Sequence, residues 1–217
     1  MTPPPPPPPP APGPQPSTPD FAANRLAQAI VRLDALNAED PNVEVVDGAP
    51  QPKELVYARR MTRWLDALEP QASEPLRLAA RAQHLMRWRI PRDTFPMDRA
   101  GYLRWRTTLY DFHADQAAEV LREVGYDPAT SDRVRALIRK QDLKIDPDAQ
   151  TLEDVICLVF LESYLGAFSN EHDEEKLVRI LRKTWKKMSP RGHAAALTLP
   201  LGPREQALVA KALASDA

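Results

Sequence analysis

The chain has 217 residues, with 29 basic against 30 acidic side chains, 24 prolines and a single cysteine. A formal charge of −1 supplies no long-range field for coating nucleic acid or a membrane surface. One cysteine excludes a disulfide framework, and with neither a run near the ~20 apolar residues of a membrane span nor a signal-peptide layout the expectation is a soluble, cytoplasmic protein.

Residues 1–20 hold 12 of the prolines. Proline fixes φ and donates no backbone hydrogen bond, so this stretch reads as a disordered, extended tail, with a proline-binding protein partner as the functional alternative. From Phe21 onward apolar residues recur at helical spacing. Asp20 is placed to cap a helix whose inward stripe is Leu26, Ile30, Leu33 and Leu36. Val43, Val45 and Val46 follow in a proline-flanked loop. A helix over 53–68 carries Leu55, Val56, Met61, Trp64, Leu65 and Leu68 on one broad face. Ser73 opens another that runs to about Trp88, where Pro91 and Pro96 force an irregular stretch.

Asp98 caps a long helix that Gly125 terminates, and Ser131 opens a shorter one. Residues 150–168 are apolar almost all round, the pattern of a helix at the centre of a core. Amphipathic segments over 174–188 and 202–213 complete the pattern, with His193 in a loop between them. The expected architecture is all-α, one bundle-like domain over 21–217 with about seven to nine helices.

Glu153 and Asp154 stand inside the most apolar helix, where a buried carboxylate costs several kcal/mol unless compensated. Adjacent helical residues point about 100° apart, so only one of the two is expected to face inward. The simple alternative for Asp154 is an arginine partner, and for Glu153 an exposed first-turn position. His84 and His113 lie on other core-directed helices. Cys157 reads as a small apolar core residue with no adjacent base.

Between Arg81 and Arg106 there are seven arginines against Asp93 and Asp98, with Trp88 and Trp105 interleaved. Guanidinium forks suit phosphate oxygens and a neighbouring indole suits a planar group. Arg87, Trp88, Arg92, Arg99, Trp105 and Arg106 are therefore the candidate substrate-binding residues. Near-zero net charge favours a discrete pocket for an anionic small molecule over a polynucleotide track.

HADQAAEVLREVGY at 113–126 and DAQTLEDVICL at 148–158 resemble two helices of the HD-domain phosphohydrolase superfamily, whose metal site is built from histidines and aspartates on a helical bundle. The resemblance covers about 53–165. It implies His84, His113 and Asp154 as ligands of one divalent metal ion, manganese, iron or zinc, in a metal-dependent phosphohydrolase. Two positions depart from that pattern: Tyr57 stands where the first histidine is expected, and Gln83-His84 replaces the His-Asp pair. With the same resemblance, Gln83, Lys140 and Glu153 are the catalytic candidates. Gln83 would orient water, Lys140 would stand where relatives hold a second cation, and Glu153 would be the buried acid beside Asp154. The alternative is a non-catalytic ligand-, protein- or RNA-binding module using Trp185 and the basic RKTWKK run. Across the whole chain, the ordered blocks NAEDPN, ELVYARRM, AQHLMRWRIPR, GYLRWR, FHADQA, LEDVICLVFLE and KTWKKMS resemble the domain of unknown function 4202 family, which implies no mechanism.

Overall fold

The computed structural model describes residues 21–143 and 145–214; the proline-rich stretch and the capping role expected of Asp20 lie outside them. Among the described residues the protein is all-α apart from one small hairpin. Helix α1 (Phe21–Asn37) buries Ala29 and Leu33, with Leu26 and Leu36 packed beside them. The segment expected to be a loop is instead a pair of antiparallel strands, β1 (Val43–Val46) and β2 (Ala49–Pro52), with Val46 opposite Ala49. Asp47 and Gly48 connect them at φ 51° and 78°, the doubly left-handed turn whose twist matches a hairpin. Asp-Gly after Val-Glu-Val-Val was the signal for it.

Helix α2 (Lys53–Leu68) has the expected bounds. Pro52 at its start offers no side-chain cap, and the buried Asp40 serves from a distance, its Oδ2 accepting from Glu54 N at 3.0 Å. Helix α3 (Glu74–Ala82) is capped by Ser73 as expected but stops six residues short of Trp88. There the chain turns through Gln83–Met86 into two short 3-10 turns, Arg87–Arg89 and Arg92–Thr94. Arg81, near the end of α3, makes a two-pronged contact with Asp34 of α1 at 2.6 Å on each side.

Helix α4 (Arg99–Val124) is capped by Asp98 and closed by Gly125 at φ 86°. Its 26 residues give a rod of about 39 Å. Helix α5 (Pro128–Ile138) begins earlier than expected because Asp127, not Ser131, is its cap. Helix α6 (Pro147–Val159) continues through a π-turn at Phe160–Tyr164 into α7 (Leu165–Asn170). Then come α8 (Glu174–Trp185), α9 (Pro190–Ala196) and α10 (Pro203–Leu213). His193 sits in α9, where Ser189 supplies the cap that makes a helix of the stretch read as a loop.

Among the described residues apolar side chains gather in two clusters. One is built from α1 to α6 and the other from the end of α6 to α10, with Trp64 and Leu68 packed against both. Among the described residues no helix is long and apolar enough to cross a membrane.

Candidate functional site

A cleft of about 170 Å³ opens where the turn after α3 meets α4. Helix α4 contributes a single stripe to it, Tyr102, Trp105, Arg106, Leu109, Tyr110 and His113. Those positions follow the i, i+3, i+4, i+7, i+8, i+11 spacing that places side chains on one helix face. Gln83, His84 and Arg87 enter from the turn after α3, Tyr57 from α2, Lys140 from the end of α5 and Ile156 from α6.

Two backbone distortions aim the cations. Met86, just before Arg87, has φ 54°, and Lys140 itself has φ 59°. Neither is glycine, so each conformation costs on the order of 1–2 kcal/mol. Asn37 Oδ1 accepts from Met86 N at 3.0 Å and holds the first of these turns. The Arg87 guanidinium lies over the Trp105 ring at 4.7 Å, and Trp105 Nε1 donates to Ile90 O at 2.9 Å, which fixes the indole. Arg106 donates to the Tyr110 hydroxyl and lies 5.8 Å from the centre of the Tyr102 ring. Among the described residues Arg106 has no carboxylate partner. Lys140 is paired with Glu153, and Glu153 is shared with Lys187 at 3.4 Å.

His84 is sandwiched. Its ring stacks on Tyr57 at 3.9 Å, and its Nδ1 lies 3.3 Å from Glu54 Oε2. Tyr57 thus occupies as a stacking platform the position where the superfamily resemblance implies a ligand. Burial, and then Arg87 and Lys140, hold His84 neutral, well below the usual imidazole value. His113 is 1% exposed; its Nδ1 lies 2.7 Å from Leu85 O and its Nε2 has no partner among the described residues. Burial, with His84 adding to it, pushes the His113 value down to about 3. Gln83 is 2% exposed and its Oε1 is likewise unpartnered among the described residues.

Glu54 was not singled out from sequence, although an acid in the apolar run ELVYA is the same signal that drew attention to Glu153. Burial raises its carboxyl to about 7, against the opposing pull of Arg87. A folded-state value above the ordinary 4.5 means the fold prefers the protonated acid. That contribution is complete below about 4.5 and is lost as pH rises through about 7. Glu54→Gln is therefore expected to gain about 3 kcal/mol over the parent at pH 8 and almost nothing at pH 4. Urea unfolding at the two pH values measures it, and equal effects at both would contradict the assignment.

The remaining sequence candidates are placed elsewhere. Glu153 and Asp154 are both buried, at 2% and 1% exposure, which corrects the expectation that only one faces inward. They satisfy different partners: Glu153 meets lysines, while Asp154 accepts from Ser189 N at 2.8 Å, from Ser189 Oγ and from Gln150 Nε2 at 3.1 Å. Asp154 therefore anchors the start of α9 and does not reach the histidines. Helix α9 packs so close that a Cβ at Gly192 would lie 2.7 Å from Asp154 Cγ. Among the described residues no group of three His, Cys, Asp or Glu side chains could hold a metal ion. His84, His113 and Asp154 do not fit the ion that the superfamily resemblance implied for them.

Arg92 does not face the cleft either. It donates to the carbonyls of Phe95, Pro96 and Asp98 at 3.1, 2.8 and 3.3 Å, tying its own loop together. Trp88 packs against the first apolar cluster, and Arg99 is an exposed first residue of α4. Trp185 stacks on His193 at 4.0 Å. Cys157 is buried and its thiol is pushed up to about 12, in keeping with an inert core residue.

No curated protein and no solved structure matches the chain. The sequence profile of the Domain of unknown function (DUF4202) matches residues 27–209, most of the chain, and the protein belongs to that family.

Proposed function

We propose that the protein binds a small anionic ligand carrying a phosphate group in the cleft beneath the α3–α4 connection. Arg106 carries the reading. It is a half-buried guanidinium without a carboxylate counter-ion among the described residues, and it shares a cleft lining with Arg87 and Lys140 that contains no carboxylate. A cation withdrawn from water favours an opposite charge, and one that has none from the protein is ready to take it from a ligand. Tyr102 and Tyr110 pack beside it and Trp105 holds Arg87, so the donors are ordered before any anion arrives.

The volume supports a small occupant. About 170 Å³ is well below the ~300–1,000 Å³ of sites for drug-sized ligands. That suits orthophosphate or a short phosphate ester, not a nucleotide seated whole. HD-like hydrolytic chemistry has no support here, because the ligand set it needs is split between the cleft and the α9 anchor.

Isothermal titration of the protein with inorganic phosphate at low salt tests the proposal. Binding is expected in the parent, and Arg106→Gln is expected to weaken it by about tenfold or more, the usual worth of a charge-assisted hydrogen bond. Absence of heat with the parent into the millimolar range would sink the proposal.

A further inference from the structure

The cleft holds a contradiction that narrows the ligand further, given the anion-binding reading on which this inference rests. Its cations call for a negatively charged occupant. Yet two buried atoms in the same lining, His113 Nε2 and Gln83 Oε1, each offer that occupant a lone pair. Leu85 O carries no hydrogen, so the 2.7 Å contact with His113 Nδ1 requires the proton to sit on Nδ1. His113 is neutral in this setting, which leaves Nε2 a bare acceptor. That atom is fully buried and has no partner among the described residues. Gln83 Oε1 is a second buried acceptor in the same state.

An unpartnered buried acceptor is costly to leave and repels an oxyanion whose oxygens are all bare. A ligand satisfies both halves of the site only if it brings negative oxygens for the cations and at least one hydrogen for the acceptors. We infer that the ligand of this cleft is a phosphate accompanied by its own hydrogen-bond donor. The donor is either the P–OH of inorganic phosphate or a hydroxyl next to the phosphate of a small ester, and an oxyanion of equal charge without a donor is refused. Selectivity then comes from His113 and Gln83, and affinity from Arg87, Arg106 and Lys140. A lone pair facing a bare oxygen discriminates more strongly than a change of size, because both polar groups are left unsatisfied.

Four probes at pH 8 separate the cases, all carrying the same double negative charge. Inorganic phosphate and glycerol 3-phosphate each carry a donor; methyl phosphate and sulfate carry none. Isothermal titration at constant ionic strength is expected to give the better donor-bearing probe an affinity at least tenfold above both sulfate and methyl phosphate. Glycerol 3-phosphate above inorganic phosphate identifies an ester as the occupant, and the reverse order identifies the free ion. Equal affinities for all four overturn the inference and leave the anion site standing, whereas no binding by any probe removes both. Gln83→Met keeps the side-chain length while deleting one acceptor. With the fold verified by circular dichroism, its preference for phosphate over sulfate is expected to shrink severalfold. An unchanged preference would overturn the assignment of selectivity to the buried acceptors.

Discussion

Asp154→Ala is expected to lower the unfolding free energy by about 3–4 kcal/mol while leaving phosphate affinity of the folded protein within about twofold. The carboxylate is 1% exposed and accepts from Ser189 N, Ser189 Oγ and Gln150 Nε2. Hydrogen bonds to a charged group contribute roughly 1.5–3 kcal/mol each, and truncation leaves the Ser189 donors facing a void. The effect is structural because Ser189 also accepts from Gly192 N, so the loss propagates into the first turn of α9. Urea unfolding followed by circular dichroism measures the first part, and phosphate titration well below the unfolding midpoint measures the second. A variant as stable as the parent but unable to bind phosphate would return Asp154 to the ligand site and overturn its role as the α9 anchor.

Lys140→Met is expected to cost about 3 kcal/mol at pH 7 and to weaken phosphate binding by about tenfold. Glu153 is 3% exposed at its side chain and depends on Lys140, with Lys187 a more distant second. Burial pushes the Glu153 carboxyl up, but Lys140 and then Lys187 pull it further down, so it titrates below the ordinary 4.5. In the parent this pair contributes stability that is present above about 4.5 and lost as pH falls through the folded value. Removing Lys140 reverses the sign. With the larger of the two lysine pulls gone, burial pushes the carboxyl back upward, and the penalty is expected to grow as pH climbs. The difference between variant and parent is expected to be small at pH 4 and full by pH 7, measured as urea midpoints across that range. Replacing both partners, Lys140→Met with Glu153→Leu, is expected to recover most of the stability and none of the binding, because an apolar pair carries no desolvation cost. A pH-independent loss in the single variant would mean that Lys140 acts through packing and not through charge.

How much could be read from the chain follows from how local each signal is. The caps at Ser73 and Asp98 and the stop at Gly125 are short-range devices, each set by a side chain or a φ value within three residues, and all three are where the sequence puts them. The hairpin is harder to read because its strands are four residues each and the second contains two prolines, Pro50 and Pro52, although Asp47-Gly48 is visible. The α4 face of the cleft was also legible in retrospect. Tyr102, Arg106, Tyr110 and His113 are spaced by four, four and three residues, one helix face that the arginines alone do not define.

Helical periodicity and buried polar composition were decided by the sequence alone: an all-α chain, acids and imidazoles drawn into its interior, and arginines crowded between α3 and α4. Which partner each of those groups meets was decided by the tertiary structure. Glu54, Glu153 and Asp154 are all carboxylates in apolar helices, and burial energetics demands a compensating group for each without specifying which. The choice fell to two left-handed turns, at Met86 and Lys140, that redirect the chain and so determine which side chains share a cleft. Glu54 was thereby given to His84, Glu153 to two lysines and Asp154 to the start of α9. Covalent neighbours fix periodicity, but convergence is fixed by where long-range packing lets the backbone turn.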